Sequence, residues 1–238
     1  MRLAPFTALR ASQHHVTAVS CPPADVLAAS EATDIARAKA RSIVGVLRHA
    51  DVVGTVEGIR PSPASHLVNL IEGGSLIRET EPWLYAYRVS GHGLKATGII
   101  GRLDDALPAG TAPEDPTGER HAAHPSRIGA TLELTRVVIE TWVPMVPKLL
   151  LDLNERPLYH FLEKDTGLTH SVWSLRQPMP YVEYLAPISW RLARTAHAGA
   201  SHEPVLACVF GGDEWAIGAT PQLRLRSGII GLERERTD

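Results

Sequence analysis

The richest cluster of reactive side chains in the sequence is Glu119-Arg120-His121-Ala122-Ala123-His124-Pro125-Ser126-Arg127. A carboxylate, two imidazoles and two guanidiniums within so short a span form the raw material of an active-site wall. Glu119 could serve as acid or base, and His121 and His124 as proton carriers. Arg120 and Arg127 could clamp a phosphate or carboxylate, because a guanidinium offers paired donors to paired oxygens. A solvated surface loop is the rival reading of the same residues, and both stay open on the sequence. A metal is not expected, since two histidines three apart supply too few ligands and no third is spaced to join them.

Other groups raise the same choice between chemistry and structure. Asp25 follows Pro22-Pro23, where a carboxylate either faces a cleft or closes an Asx turn and caps the next helix. Arg10 forms an ion pair or an anion site if the strand carrying it pairs near Asp25. Arg48 and His49 pose the same question. His170 and Trp173, three apart on an expected strand, point to opposite faces, so His170 reads as a structural histidine. Gly73-Gly74 and Gly211-Gly212 lack the strand-to-helix context and following lysine of a phosphate loop. No serine sits in a Gly-x-Ser-x-Gly elbow, and neither Cys21 nor Cys208 has a catalytic setting.

The elements that must position these groups alternate in type. Val16–Ser20 reads as a short strand stopped by Pro22-Pro23. Residues 30–41 read as a helix capped by Ser30, and 42–47 as a strand. Ser62-Pro63 opens a helix that places Leu67, Leu70 and Ile71 on one face and stops at Gly73-Gly74. Residues 83–90 and 94–103 form a hairpin through Gly91-His92-Gly93. The proline- and glycine-rich stretch 104–127 is a long loop. Residues 131–143 read as a helix, although β-branched content competes with their periodicity. A second hairpin joins 157–162 to 168–175 through Asp165-Thr166-Gly167, and residues 188–198 read as a helix bounded by Pro187 and Gly199. A third hairpin brackets Gly211-Gly212-Asp213 with arms 203–210 and 214–219. The expected fold is therefore α+β, with mixed, largely antiparallel sheets built from hairpins and packed helices. Residues 1–232 read as a single domain, with a possible subdivision near 104–127, and 233–238 as a frayed tail.

With 238 residues and 44% hydrophobic content, the chain can bury a substantial core. A formal net charge of −2 supplies no field toward nucleic acid or anionic membrane, and no helix-turn-helix is evident. Two cysteines far apart fit a reducing compartment, and Pro5, Arg10 and His14-His15 interrupt any leader-like run. The expectation is a cytoplasmic protein without a membrane span.

Several short motifs fall in a recognisable order: Pro5-Phe6-Thr7-Ala8-Leu9-Arg10, Pro22-Pro23-Ala24-Asp25-Val26, and Glu81-Pro82-Trp83-Leu84-Tyr85-Ala86-Tyr87 running on to Thr97-Gly98-Ile99-Ile100-Gly101. Pro157-Leu158-Tyr159, Gly167 to Trp173 and Glu203 to Ala207 extend the series to about residue 220. Together they resemble the bacterial and archaeal family called domain of unknown function 1015, grouped with ParB/sulfiredoxin-like proteins. The resemblance implies a ParB/sulfiredoxin-like fold and, from that broader group, nucleotide with Mg²⁺ and phosphotransfer. The family's Asp-Gly-His-His-Arg motif is missing. Its place reads Ala186-Pro187-Ile188-Ser189-Trp190-Arg191-Leu192, where Arg191 alone stands in for the basic residue.

Three functional expectations follow. The first is a small-molecule enzyme, or relative of one, that binds an anionic carboxylated or phosphorylated metabolite, a phosphotransferase-type ancestor turned to other chemistry. The second is a non-catalytic interaction scaffold that lost its nucleotide site and pairs hairpin edges into a homodimer. A ParB-like DNA-associated regulator ranks last.

Overall fold

Among the described residues the helices follow one another between the second and third strands and the remaining strands come after them, the segregation an α+β reading expects. The computed structural model describes residues 3–103, 128, 130–132, 134–139, 156–176, 190–194, 205–211 and 225–233. In chain order the strands are β1 (Leu3–Ala4), β2 (Phe6–Ala11), β3 (Leu76–Gly91), β4 (Leu94–Leu103), β5 (Ala130–Thr131), β6 (Thr135–Ile139), β7 (Tyr159–Glu163), β8 (Leu168–Leu175), β9 (Trp190–Arg194), β10 (Val205–Gly211) and β11 (Ile230–Glu233). The helices are α1 (Val16–Val19), α2 (Ala29–Ala38), α3 (Val44–Leu47), α4 (His49–Val52) and α5 (Pro63–Glu72). Two compact units interleave in sequence. One comprises Met1–Phe6, Glu81–Glu114 and Leu134–Arg224, and the other Thr7–Thr80, Asp115–Glu133 and Leu225–Asp238.

The second unit carries the helices. At the start of α5, the Ser65 N–H donates to the Ser62 hydroxyl and the Ser62 N–H donates to the Ser65 hydroxyl, both at 3.1 Å. Pro63, with no N–H to satisfy, fits the first turn. At the other end, Gly74 takes φ 66°, and the Gly74 and Ser75 N–H groups donate to the Ile71 and Leu70 carbonyls. This closure needs a left-handed residue, which glycine supplies without steric cost. Helix α2 begins one residue before its expected Ser30 cap. Ala28 is the cap, and the Glu31 carboxylate accepts from its N–H at 2.8 Å.

Two short segments expected as strands are helical. In α1, Val16 and Val19 are buried while Thr17 is exposed, so three-residue spacing onto a core overrides the β preference of valine. In α3, all four residues are buried and no polar face betrays the period. Gly45 is required there because a Cβ would stand 2.6 Å from Nε2 of the His66 ring on α5. Ile43, Leu47, Leu67 and Leu70 supply the apolar interior. Strand β11 pairs antiparallel with β2, Ile230 opposite Arg10, and with β5, Leu232 opposite Thr131. Glu233, expected to open a frayed tail, ends β11, and residues 234–238 lie outside the described set.

In the first unit the strand order is β7-β8-β3-β4-β10-β6-β9, with β1 also pairing with β4. All its ladders among the described residues are antiparallel except β10 with β6. Both expected hairpins form, β3–β4 and β7–β8. Two expected helices do not: residues 135–139 form β6 and 190–194 form β9. Thr135, Val137, Val138 and Ile139 favour a pleated strand, and a neighbour on each side fixes the choice. Strand β10 takes β4 and β6 as partners, and the other arm of its expected hairpin, 214–219, lies outside the described residues. Phe6, Leu84, Tyr85, Tyr87, Tyr159, Ile99 and Val172 are buried, with the Phe6 and Tyr85 rings 5.7 Å apart.

Candidate functional site

Glu119, Arg120, His121, His124 and Arg127 lie outside the described residues. Asp25 is exposed in a tight turn, Ala24–Val26, whose Ala24 carbonyl accepts from Arg48 Nη1 at 3.0 Å. The buried Arg48 also donates Nε to Asp51 at 2.5 Å, which fixes it as a structural brace. Arg10 donates Nε to the Glu79 carboxylate and Nη1 to the Ala11 carbonyl, an ion pair with a partner that the sequence reading did not name. Arg191 sits on β9 opposite Val138.

A constellation that the separate motifs did not suggest arises where the two hairpins meet. Strand β3 pairs with β4 on one side and β8 on the other, and β8 pairs with β7. The register sets His160, Ser171, Arg88 and Thr97 opposite one another in a single cross-strand row. Directly opposed residues share a face, so the row presents an imidazole, a hydroxyl, a guanidinium and a second hydroxyl together. The contacts are direct. Ser171 Oγ and His160 Nδ1 are 2.9 Å apart, and Arg88 Nε donates to Thr97 Oγ1 at 3.0 Å. The Arg88 guanidinium also lies over the Trp173 ring, 5.0 Å from its centre, a cation–π contact. Burial lowers the Arg88 pKa from its ordinary value, yet a group that begins so basic stays a cation at neutral pH. His160 is exposed, Arg88 and Thr97 half-buried and Ser171 buried.

The opposite face of these strands is closed. His170 lies fully buried between the Tyr87 hydroxyl, 2.8 Å from Nδ1, and the Glu163 carboxylate, 3.3 Å from Nε2. Burial pushes its pKa down to about 4, so at neutral pH the ring is neutral. Tyr87 then donates to Nδ1, and Nε2–H donates to Glu163. Phe161 stacks on the ring at 5.2 Å. The same carboxylate accepts from the Thr166 hydroxyl at 2.6 Å, and His92 Nε2 donates to the Thr166 carbonyl at 2.6 Å, joining the two hairpin turns. His170 is thus a structural histidine, and Trp173 faces the other way, as their spacing implies.

Neither cysteine offers a nucleophile: both are buried, and burial raises the Cys208 thiol well above its ordinary pKa. Among the described residues, no three His, Cys, Asp or Glu side chains gather as metal ligands. No described helix is long and apolar enough to cross a membrane.

No curated protein and no solved structure matches the chain. Residues 3–107, which hold the motifs from Pro5-Phe6 through Gly101, match the model of the family described as "Protein of unknown function (DUF1015)", and this match supports the family resemblance read from those motifs.

Proposed function

We propose that the chain binds an anionic small molecule, carboxylated or phosphorylated, on the β7-β8-β3-β4 face. The observation that carries this reading is the row His160–Ser171–Arg88–Thr97, with Arg88 in contact with both Trp173 and Thr97. An arginine already held beside a ring and a hydroxyl loses less freedom when its guanidinium meets an anion. Ser171 and His160 stand beside it as further hydrogen-bonding groups for the same ligand. A ParB/sulfiredoxin-like ancestry, whose members handle anionic substrates, is consistent with the reading and is part of the proposal. Enzymatic turnover, a cytoplasmic location and pairing as a homodimer belong to the same proposal.

The test is a thermal-shift panel of carboxylates, phosphorylated metabolites and nucleotides against the wild type and Arg88→Ala. A ligand at a hundred times its dissociation constant stabilises the fold by about 2.7 kcal/mol. The expected result is a shift with one anionic class that Arg88→Ala abolishes. A shift of equal size in the variant would place the ligand elsewhere, and no shift with any anion would refute the reading.

A further inference from the structure

Helix α5 buries a histidine that has nothing to bond to. His66 is 1% exposed, and among the described residues neither Nδ1 nor Nε2 has a hydrogen-bond partner. Its ring lies against α3, where a Cβ on Gly45 would stand 2.6 Å from Nε2 and 2.8 Å from Cδ1 of Ile59. Leu67 and Leu70 are buried on α5, and Val44, Val46 and Leu47 on α3, so the seam between the helices is otherwise apolar. A polar ring left unpaired there costs stability, and a leucine of similar volume would not. What histidine brings and leucine cannot is a charge that appears just below neutral pH.

The surroundings oppose that charge. From α4 comes His49, whose Nε2 donates to the Arg60 carbonyl at 2.8 Å. From the segment before α5 comes the Arg60 guanidinium, whose Nη2 donates to Asn69 Oδ1 at 3.0 Å. Helix α3 carries no ionisable side chain, and on α5 the other ionisable residue, Glu72, is exposed at the far end. The Asp51 carboxylate of α4 is taken up by Arg48. Burial first, then His49 and Arg60, lower the His66 pKa from 6.5, so the closed seam resists a proton that a released ring accepts. Closure is therefore favoured fully above about pH 6.5 and loses ground as pH falls below it. Residues 53–62, which lead into α5, are exposed except for the half-buried Val56 and Ile59, so little burial holds that end in place. We propose that His66 is an acid-operated latch, whose protonation releases α5 from α3 as a local opening of the second unit and uncovers the apolar seam. The latch draws on no residue of the anion-binding face.

The experiment is amide hydrogen exchange of the full chain, wild type and His66→Leu, at about pH 7.5 and about pH 5.5, each rate divided by that of the unstructured peptide at the same pH. An opening that takes up one proton with the ordinary value of 6.5 grows by up to about tenfold across that interval. Wild-type peptides covering α3 and α5 should lose protection by that factor while those covering β4 keep theirs, and His66→Leu should hold its protection at both pH values. Arg60→Gln decides the matter if His66→Leu folds poorly, because Arg60 is exposed and glutamine keeps a donor for Asn69. With one repelling charge gone, the closed seam tolerates the proton better, so this variant should lose less protection than the wild type. No loss in the wild type, or a loss shared equally by β4, would overturn the latch. So would a loss in His66→Leu equal to that of the wild type or, should that variant not fold, an equal loss in Arg60→Gln.

Discussion

The buried His170 makes stability depend on pH in a definite direction. Its folded-state pKa, about 4, lies below the ordinary histidine value of 6.5, and the cause is burial. As pH falls, the unfolded chain therefore takes up this proton first. The contribution is fully present above about pH 6.5 and is lost as pH falls toward 4. A separation of about 2.5 units at ~1.36 kcal/mol each gives about 3 kcal/mol, an upper figure since partial opening would let water reach the ring. His66 has a pKa lowered by burial, and next by His49 and Arg60, and adds a slope of the same sign. The informative quantity is thus a difference between proteins that both keep His66. Urea denaturation of wild type and His170→Gln, between about pH 7 and pH 4.5, should show the wild type losing roughly 2–3 kcal/mol more than the variant. Equal losses would refute the argument. A direct readout stands even if the variant folds poorly: the His170 ring protons in the wild type should titrate with a midpoint near 4, and a midpoint near 6.5 would show that the ring is not desolvated.

Two further outcomes test the packing. Gly101→Ala should destabilise the first unit by about 1–3 kcal/mol in chemical denaturation, because its Cβ would fall 2.6 Å from Leu3 Cγ and 2.7 Å from Leu84 Cδ2 in a filled core. Ser62→Ala should cost about 1 kcal/mol by removing the hydroxyl that caps α5, and Ser62→Asp should recover most of it in the same assay.

What was legible in the sequence was local. Ser62-Pro63, Gly73-Gly74 and the two hairpin turns name their structures through residues in direct contact, and α5, β3–β4 and β7–β8 follow. The misread segments were short or buried on all sides. Val16–Val19 is too brief for period two to be told from period three, and Val44–Leu47 shows no polar face. Residues 135–139 and 190–194 became strands through neighbours distant in sequence, which no local window contains. The candidate site has the same character. Each hairpin could be read alone, but the row His160–Ser171–Arg88–Thr97 exists only because β3 pairs with β8, a choice of partner and register. Pairing Arg88 with Ser171 across the two hairpins was the one step that would have revealed it.

The two faces of these strands also act as a folding checkpoint. Sliding β8 by one residue along β3 would turn its side chains inside out. His170 would leave Tyr87 for the opposite face, while Ser171 would be driven in among the tyrosines, with neither finding its hydrogen-bond partner. Mispairing is thus penalised on both surfaces at once, and the arrangement that gathers an arginine, a serine and a histidine on one face is the same one that lets the protein close its interior.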